Sequence, residues 1–496
     1  MRRLTWWAAT LAALALPAPL LAQDVTLTAR GGGLSIEGAL TGFDGEFYRV
    51  ATRYGALTVD AAAVICDGPA CPDLTAPLAT IRLLGAAEPG NAILPRLLEA
   101  FAAAHGYRLD LTAAGDGFQA RLDSAEGRPL AKLGFTPTPP EEALEALRSD
   151  AAELVLATEP APGLTARVLA LDALQPIVAP DNPLPRLSTR DLARALSGEV
   201  ANWAELGGPD RPLVLHALPA ADGLQAALAA RLGRPVAATV THPDLASLAE
   251  GVARDPYALA ITGRSAQGTA RALPLTDSCG FPLQPSPVAV KAGDYPLALP
   301  LYLLTPRRRL PLVARELLDF LSTPPAQQAI AAAGYIDRAP MRAALADGAR
   351  LINAIRAVED GSLPQLHRLA ETMAGAERLS LSFRFDAEGA LDPQGREALT
   401  DLARMIEIGQ FRGQDIVLTG FSDGEDALAR SERQAASVAA ALAEAMTGPA
   451  PEETAIRSRG FGAALPMACD STEAGRRLNR RVEVWLEPRV TGNPAP

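Results

Sequence analysis

The sequence predicts a multidomain α/β protein in which a small β module precedes a two-lobed α/β unit and a further α/β sandwich. Three observations carry this. A length of 496 residues, at about 150 residues per domain, gives a prior of roughly three domains. Period-two alternation governs the chain up to about Leu74, whereas short apolar runs alternate with helical spacings beyond it. Between Asp172 and Pro212 the chain passes from an apolar strand through Asp181-Asn182-Pro183 into a capped helix and then Gly207-Gly208-Pro209. That order is expected where a chain leaves one α/β lobe and enters another.

Composition narrows the class. An apolar share of 48% and a charged share of 21% are those of globular protein with sizeable cores. A formal charge of −11 argues against nucleic acid or anionic lipid as the general partner. Residues 1–22 carry Arg2 and Arg3, an apolar run from Trp6 to Leu16, Pro17, Pro19 and a small-residue end at Ala22, which predicts a secretory signal peptide cut after Ala22. The apolar run is shorter than the ~20 residues of a membrane span. No later segment is long and apolar enough, so the mature chain is expected to be soluble outside the cytoplasm. Four cysteines suit that oxidising compartment. Cys66 and Cys71 straddle Asp67-Gly68-Pro69 and are expected to close a loop that contributes roughly 2 kcal/mol. Pairing of Cys279 with Cys469 stays open. The histidines at 105, 216, 242 and 367 share no ligand spacing, and no Cys-x-x-Cys occurs, so no metal or other cofactor is expected.

Residues 24–74 read as short strands around Val25 and Leu27, Leu34 and Ile36, Phe47 and Val50, Leu57 and Val59, and Val64 and Cys66. Gly31-Gly32-Gly33 and Asp44-Gly45 punctuate them, as in an antiparallel β module suited to packing or partner contact. Residues 78–340 open with a strand at Ile81–Leu84, a glycine-bearing loop from Gly85 to Asn91, and a helix placing Ile93, Leu97, Leu98 and Phe101 on one face before Gly106. A loop leading into a helix N-terminus presents free backbone N–H groups, which makes Ala86, Ala87 and Glu88 candidate ligand contacts. Ser188 is the predicted N-cap for Leu192, Ala195 and Leu196, and Gly198 closes that helix.

The run Asp181-Asn182-Pro183, Leu187-Ser188, Ser197-Gly198-Glu199, Asn202-Trp203 and Gly207-Gly208-Pro209-Asp210 resembles the phosphate-type periplasmic substrate-binding proteins of ABC importers. Ala258–Ile261, Tyr295-Pro296-Leu297, and Phe320 to Gln328 with Gly334-Tyr335 extend the resemblance over about residues 79–340. It implies a periplasmic-binding-protein fold: two lobes on a hinge, a small solute (phosphate or another) closed between them, an ABC permease as partner, and no catalysis. Three places depart from the family. Ala86, Ala87 and Glu88 stand where it offers Ser or Thr hydroxyls, and Glu159 stands where its arginine clamps the ligand. Ala221-Asp222-Gly223 replaces a Ser-Gly-Thr loop, so Glu159, Asp222 and Gly223 join the candidate ligand set. A carboxylate about 5 Å from a phosphate charge costs about 3 kcal/mol at an effective dielectric of about 20, or roughly 200-fold in affinity. Tight phosphate binding is therefore not expected. The alternative is an envelope adaptor whose cleft has become structural.

Residues 341–375 place Leu345, Leu351, Ile352 and Ile355, then Leu363, Leu366 and Leu369, at spacings that predict two helices broken near Gly361, a semi-rigid spacer. In residues 376–488, Asp392-Pro393 starts a helix with Leu399, Leu402 and Ile406 inward. A strand at Ile416–Leu418, Gly420-Phe421-Ser422-Asp423 and a long helix through Val438 and Leu442 follow. The end, Gly460-Phe461-Gly462, Pro466, Thr472 and Gly475-Arg476-Arg477-Leu478-Asn479-Arg480-Arg481-Val482-Glu483, resembles the outer-membrane-protein-A-type (OmpA-like) peptidoglycan-binding domain. That implies an OmpA-like α/β sandwich, peptidoglycan as partner, and a place beside outer-membrane proteins in a Gram-negative envelope. In that family an Asp and an Arg grip the diaminopimelate of the peptide stem. Asp423 matches the acidic position, and the arginine position falls on Gln434. Arg433 lies about 100° away round the helix. Arg476, Asn479, Arg480 and Arg481 are expected to cap and brace the fold. An enzyme is not expected: Gly263-Arg264-Ser265-Ala266-Gln267 lacks the second glycine of a nucleophile elbow.

Overall fold

The computed structural model describes residues 25–43, 47–71, 78–277, 279–344, 354–355, 363–385, 389–448, 450–451 and 453–489. The signal-peptide reading lies outside them. No helix among the described residues is long and apolar enough to cross a membrane.

The strands Val25–Ala29, Ser35–Phe43, Phe47–Thr52, Gly55–Asp60 and Val64–Asp67 form an antiparallel sheet with the first strand between the second and the fifth. Period-two alternation turns Val25, Leu27, Tyr48, Val50 and Val64 into one small core. Leu34, which the pattern assigned to the second strand, precedes it and is exposed. Cys66 and Cys71 are disulfide-bonded across the turn after the fifth strand. Arg309 of the next unit lies 3.4 Å over the Phe47 ring and accepts a 2.6 Å bond at its carbonyl from Arg49, which docks the module.

Two lobes follow, with one long strand shared between them. In the first lobe Ala79–Gly85 lies parallel between Pro129–Pro137 and Leu154–Ala157, with Ala298–Thr305 antiparallel beyond. In the second lobe Val214–Ala217 and Ala258–Gly263 are parallel neighbours. The hinge strand Thr165–Val178 belongs to both: its first part pairs with Ala298–Thr305, and Leu174–Val178 pairs with Ala258–Gly263. Its burial is unbroken from Val168 onward, as expected for a strand covered on both faces. Ile336, returning from the first lobe, exchanges two 2.8 Å backbone hydrogen bonds with Leu171 beside the hinge.

The long helix of the first lobe spans Ala87–His105 and ends at Gly106 in the left-handed conformation. Most of the predicted loop, from Glu88 to Asn91, is its first turns; Pro89 fits there because first-turn N–H groups have no partner inside the helix. Gly85 makes the tight entry feasible: its φ is +136°, and a Cβ would stand 2.1 Å from the Leu156 carbonyl oxygen. In the second lobe Ser188 accepts from the Asp191 N–H and caps the helix Thr189–Leu196, as its sequence predicts. The single closing helix expected around Phe320–Gln328 is instead two, Leu312–Phe320 and Pro324–Ala332, because Pro324 and Pro325 suit a helix start and not a continuation.

The spacer is also corrected. Arg342–Ala344 is a strand paired with Glu377–Arg384, and Leu363–Thr372 is a helix packed on the sheet beyond it. Leu345, Leu351 and Ile352 fall outside the described residues. The C-terminal sheet runs Arg342–Ala344, Glu377–Arg384, Arg481–Pro488, Gln414–Phe421, Ile456–Gly460 in spatial order. Helices Pro393–Glu407, capped by Asp392, and Ala427–Ala445 cover one face. On the other, Leu366, Leu369 and Met373 meet Val417, Phe421 and Trp485. Cys279 of the second lobe is disulfide-bonded to Cys469 of this domain.

Candidate functional site

The lobes meet at two helix N-termini. Helix Ala87–His105 comes from the first lobe and Gly223–Leu232 from the second. Thr158 donates its hydroxyl across the cleft to the Gly223 carbonyl at 3.3 Å. Between them lies a cavity of about 220 Å³ lined by Ala86, Ala87, Thr138, Thr158, Asp222 and Gly223 among others. No Lys, Arg or His is among its lining residues.

Asp222 is the N-cap of its helix and accepts from Leu224 N–H at 2.9 Å and Gln225 N–H at 3.2 Å. Those are the donors that a bound oxyanion would use, so the chain's own carboxylate already occupies the anion position. Burial pushes the Asp222 carboxyl above its ordinary range, against the pull of the two N–H groups.

Glu88 does not line this cavity. It turns toward the hinge and accepts from the Tyr335 hydroxyl. Nearby, Asp172 of the hinge strand accepts from Ala173 N–H at 2.8 Å and Ser265 Oγ at 2.9 Å. Gly263 makes room for it, since a Cβ there would stand 2.3 Å from Asp172 Oδ2. Burial raises both carboxyls, and the charges of Asp172 and Asp222 raise Glu88 further. Asp172, Ser265 and Tyr335 were not singled out from the sequence as members of such a cluster. The available signal was an acid inside the apolar run Val168–Val178.

Glu159 stands apart from Asp222. It is exposed and lines a second cavity of about 290 Å³, 3.9 Å from Arg231 and beside Arg384 and Asp392 of the C-terminal domain. Thr158 belongs to both cavities. The structure therefore places Asp222 and Gly223 with Ala86 and Ala87, and separates Glu88 and Glu159 from them.

In the C-terminal domain Asp423 follows the strand Gln414–Phe421 and is 4% exposed. Arg480 holds both of its oxygens, at 2.6 and 3.0 Å. Arg430 donates to its backbone carbonyl at 2.9 Å and lies 3.9 Å from its Oδ1. Gln434 sits one helical turn beyond Arg430, its Oε1 buried without a hydrogen-bond partner among the described residues. Arg430 is thus the basic residue that reaches Asp423 from this helix. The i, i+4 relation to Gln434 was the sequence signal for it. Arg481 is fully buried against Glu483 at 2.7 Å and over the Phe421 ring. Asn479 accepts from Met467 and Ala468 N–H groups, and Arg476 pairs with Glu473.

Comparisons with known proteins bear on these sites unequally. A profile of the PBP superfamily domain matches residues 74–323, about half of the chain. Among solved structures the chain is similar to an ABC-type phosphate transport receptor from Vibrio cholerae, at 17% identity over 52% of this chain and 99% of that one, with a TM-score of 0.42. It is also similar to PstS from Borrelia burgdorferi, at 13% identity over 52% and 98%, with a TM-score of 0.37. The curated "Probable lipoprotein YiaD" of Escherichia coli strain K12 is 32% identical over 108 residues, 21% of this chain. The chain spans about half, 47%, of that relative's length.

Proposed function

Because the chain belongs to the PBP superfamily, we propose that it is a periplasmic solute-binding protein whose cleft takes a small neutral or cationic solute in place of phosphate, and that its OmpA-like C-terminal domain holds it at peptidoglycan. The observation that carries the ligand half is Asp222. Its carboxylate consumes two N–H donors at the helix start and faces a cavity with no basic lining residue. A phosphate entering there would meet about 3 kcal/mol of repulsion at about 5 Å before any lost donor is counted. No step of chemistry is assigned to the cleft.

Calorimetry on the full chain tests this with inorganic phosphate and a panel of small amines and neutral polar solutes. Phosphate is expected to give no binding heat at micromolar concentration, and an amine or neutral solute is expected to bind. Asp222→Ser should improve phosphate affinity by tenfold or more, roughly 1.4 kcal/mol or above. Micromolar phosphate binding by the unaltered chain would sink the reading.

For the wall half, Asp423 with Arg430 supplies one acid and one base beside each other, the pairing that a zwitterionic diaminopimelate end would engage. Sacculus co-sedimentation is expected to weaken for Asp423→Ala and Arg430→Gln. Equal pelleting of all three chains removes both residues from the site.

A second reading, an envelope adaptor with a structural cleft, is favoured by one observation. The lobes already touch through Thr158 and Gly223, and about 220 Å³ is left between them, below the ~300–1,000 Å³ of most ligand pockets. Silence across the whole calorimetric panel selects it.

A further inference from the structure

The C-terminal domain grips both lobes, and it does so on either side of the hinge. On the second lobe its attachments are covalent and ionic. Cys469 is disulfide-bonded to Cys279, and its N–H donates to Asp277 Oδ2 at 2.6 Å. Asp294, next to the hinge, receives Arg378 at 2.6 Å and Arg384 at 2.9 Å. Arg378 is 2% exposed and also pairs with Glu483 at 3.2 Å, so Asp294 is tied into the interior of the C-terminal sheet.

On the first-lobe side the helix Pro393–Glu407 does the gripping. Glu397 accepts from the Val168 N–H, at the β-bulge of the hinge strand, at 2.9 Å. Glu397 and Asp401 both pair with Arg338, which donates to the Val168 carbonyl at 3.1 Å. Arg404 donates to Ser322 Oγ at 2.9 Å. Val168 thus has both backbone groups occupied by this assembly and none by a free edge.

We propose that the C-terminal domain is a brace across the hinge that holds the two lobes at one opening angle, so that exchange of anything in the cleft requires the domain to release a lobe. Hinge motion needs a few residues free to change φ and ψ while the bodies around them rotate. Here the hinge strand is pinned at Val168, and rotation must break the buried Asp294 pairs on one side or the half-buried Arg338 pairs on the other. Leaving a buried charge without its partner is costly, which makes the pairs stiff even where their net contribution to stability is small. The disulfide adds a tether that thermal motion does not release. A two-lobed protein without this domain would sample open and closed forms; this chain is held in one.

The test measures the inter-lobe distance in the full chain. Spin labels go on keto-bearing residues introduced at exposed positions 142, on the first lobe, and 250, on the second. The unaltered protein is expected to give one narrow distance distribution. Cys279→Ser, Cys469→Ser and Asp294→Asn together free the second-lobe end, and Glu397→Gln, Asp401→Asn and Arg404→Gln together free the first-lobe end. Each set should widen the distribution by about twofold or more, and the two sets combined should widen it little further, because a brace fails when either end lets go. Cys66→Ser with Cys71→Ser, which removes the other disulfide, should leave the width unchanged. A broad or two-peaked distribution in the unaltered chain overturns the proposal whatever the variants do. Variants with unchanged circular dichroism and a distribution as narrow as the parent's overturn it equally.

Discussion

Asp222 and Asp423 occupy the same kind of place in two different domains: each lies between the end of a strand and the start of a helix. Their company differs. Asp222 has two backbone N–H groups and no guanidinium, whereas Asp423 has both oxygens on Arg480 with Arg430 alongside. The contrast extends to their surroundings. The acids around the cleft, Glu88, Asp172 and Asp222, are met by hydroxyls and N–H groups, and those of the C-terminal domain, Asp415, Asp423 and Glu483, are met by arginines. One set is held by neutral donors, and the other is neutralised by guanidinium groups.

The largest effect that would test this contrast is at the fully buried pair. Arg481→Met leaves Glu483 with fewer counter-charges in the interior and should cost about 3–5 kcal/mol, read as a lower midpoint in urea. Arg480→Ala strands Asp423 in the same way, but Arg480 is 34% exposed. Water screens that pair, so the expected loss is nearer 2 kcal/mol. Asp222→Ala removes only a cap and should cost about 1 kcal/mol. If it costs as much as Arg481→Met, the two regions are not different in kind.

The smallest effects are on pH dependence, and their signs oppose. Burial and like charges raise Glu88, so the folded state holds its proton more tightly than the unfolded chain does. Its contribution is therefore complete below the ordinary carboxyl range, about 4, and is lost as pH rises through the raised value. Relative to Glu88→Gln, the unaltered chain should lose stability from pH 4 toward 7 in thermal melts. His216 runs the other way. Burial and neighbouring His242, whose Nε2 lies 3.0 Å from its Nδ1, hold it below the usual 6.5 in spite of Asp255. Stability linked to it is present above 6.5 and lost as pH falls through the lowered value. His216→Asn should flatten that acid limb.

Local signals carried well wherever one residue decides the geometry. Ser188 caps, Gly106 ends, and the alternation before Cys66 produced five strands. They failed where a distant partner decides. Arg342–Ala344 became a strand because Glu377–Arg384 offered an edge, which no spacing within residues 341–375 reveals. At the sites, Asp222 and Gly223 could be named because a strand-to-helix turn is a local feature. Asp172, Ser265 and Tyr335 could not, since they meet from three segments far apart in the chain. Glu159 shows the converse. It follows its strand as expected, yet a third domain's presence turns its surroundings into a separate cavity.

The connectivity of the four cysteines has a consequence for how the chain is made. Cys66 and Cys71 are five residues apart, and Cys279 and Cys469 are 190 apart. In a chain delivered N-terminus first, each cysteine's proper mate is the next to emerge or the one just before it. Random oxidation in order of arrival thus yields the native pairs, and an oxidant alone should suffice without reshuffling. The first ring closes almost at once, while the Cys279 thiol must wait through two-fifths of the polypeptide before its mate arrives. During that wait it is the one cysteine thiol open to a stray partner.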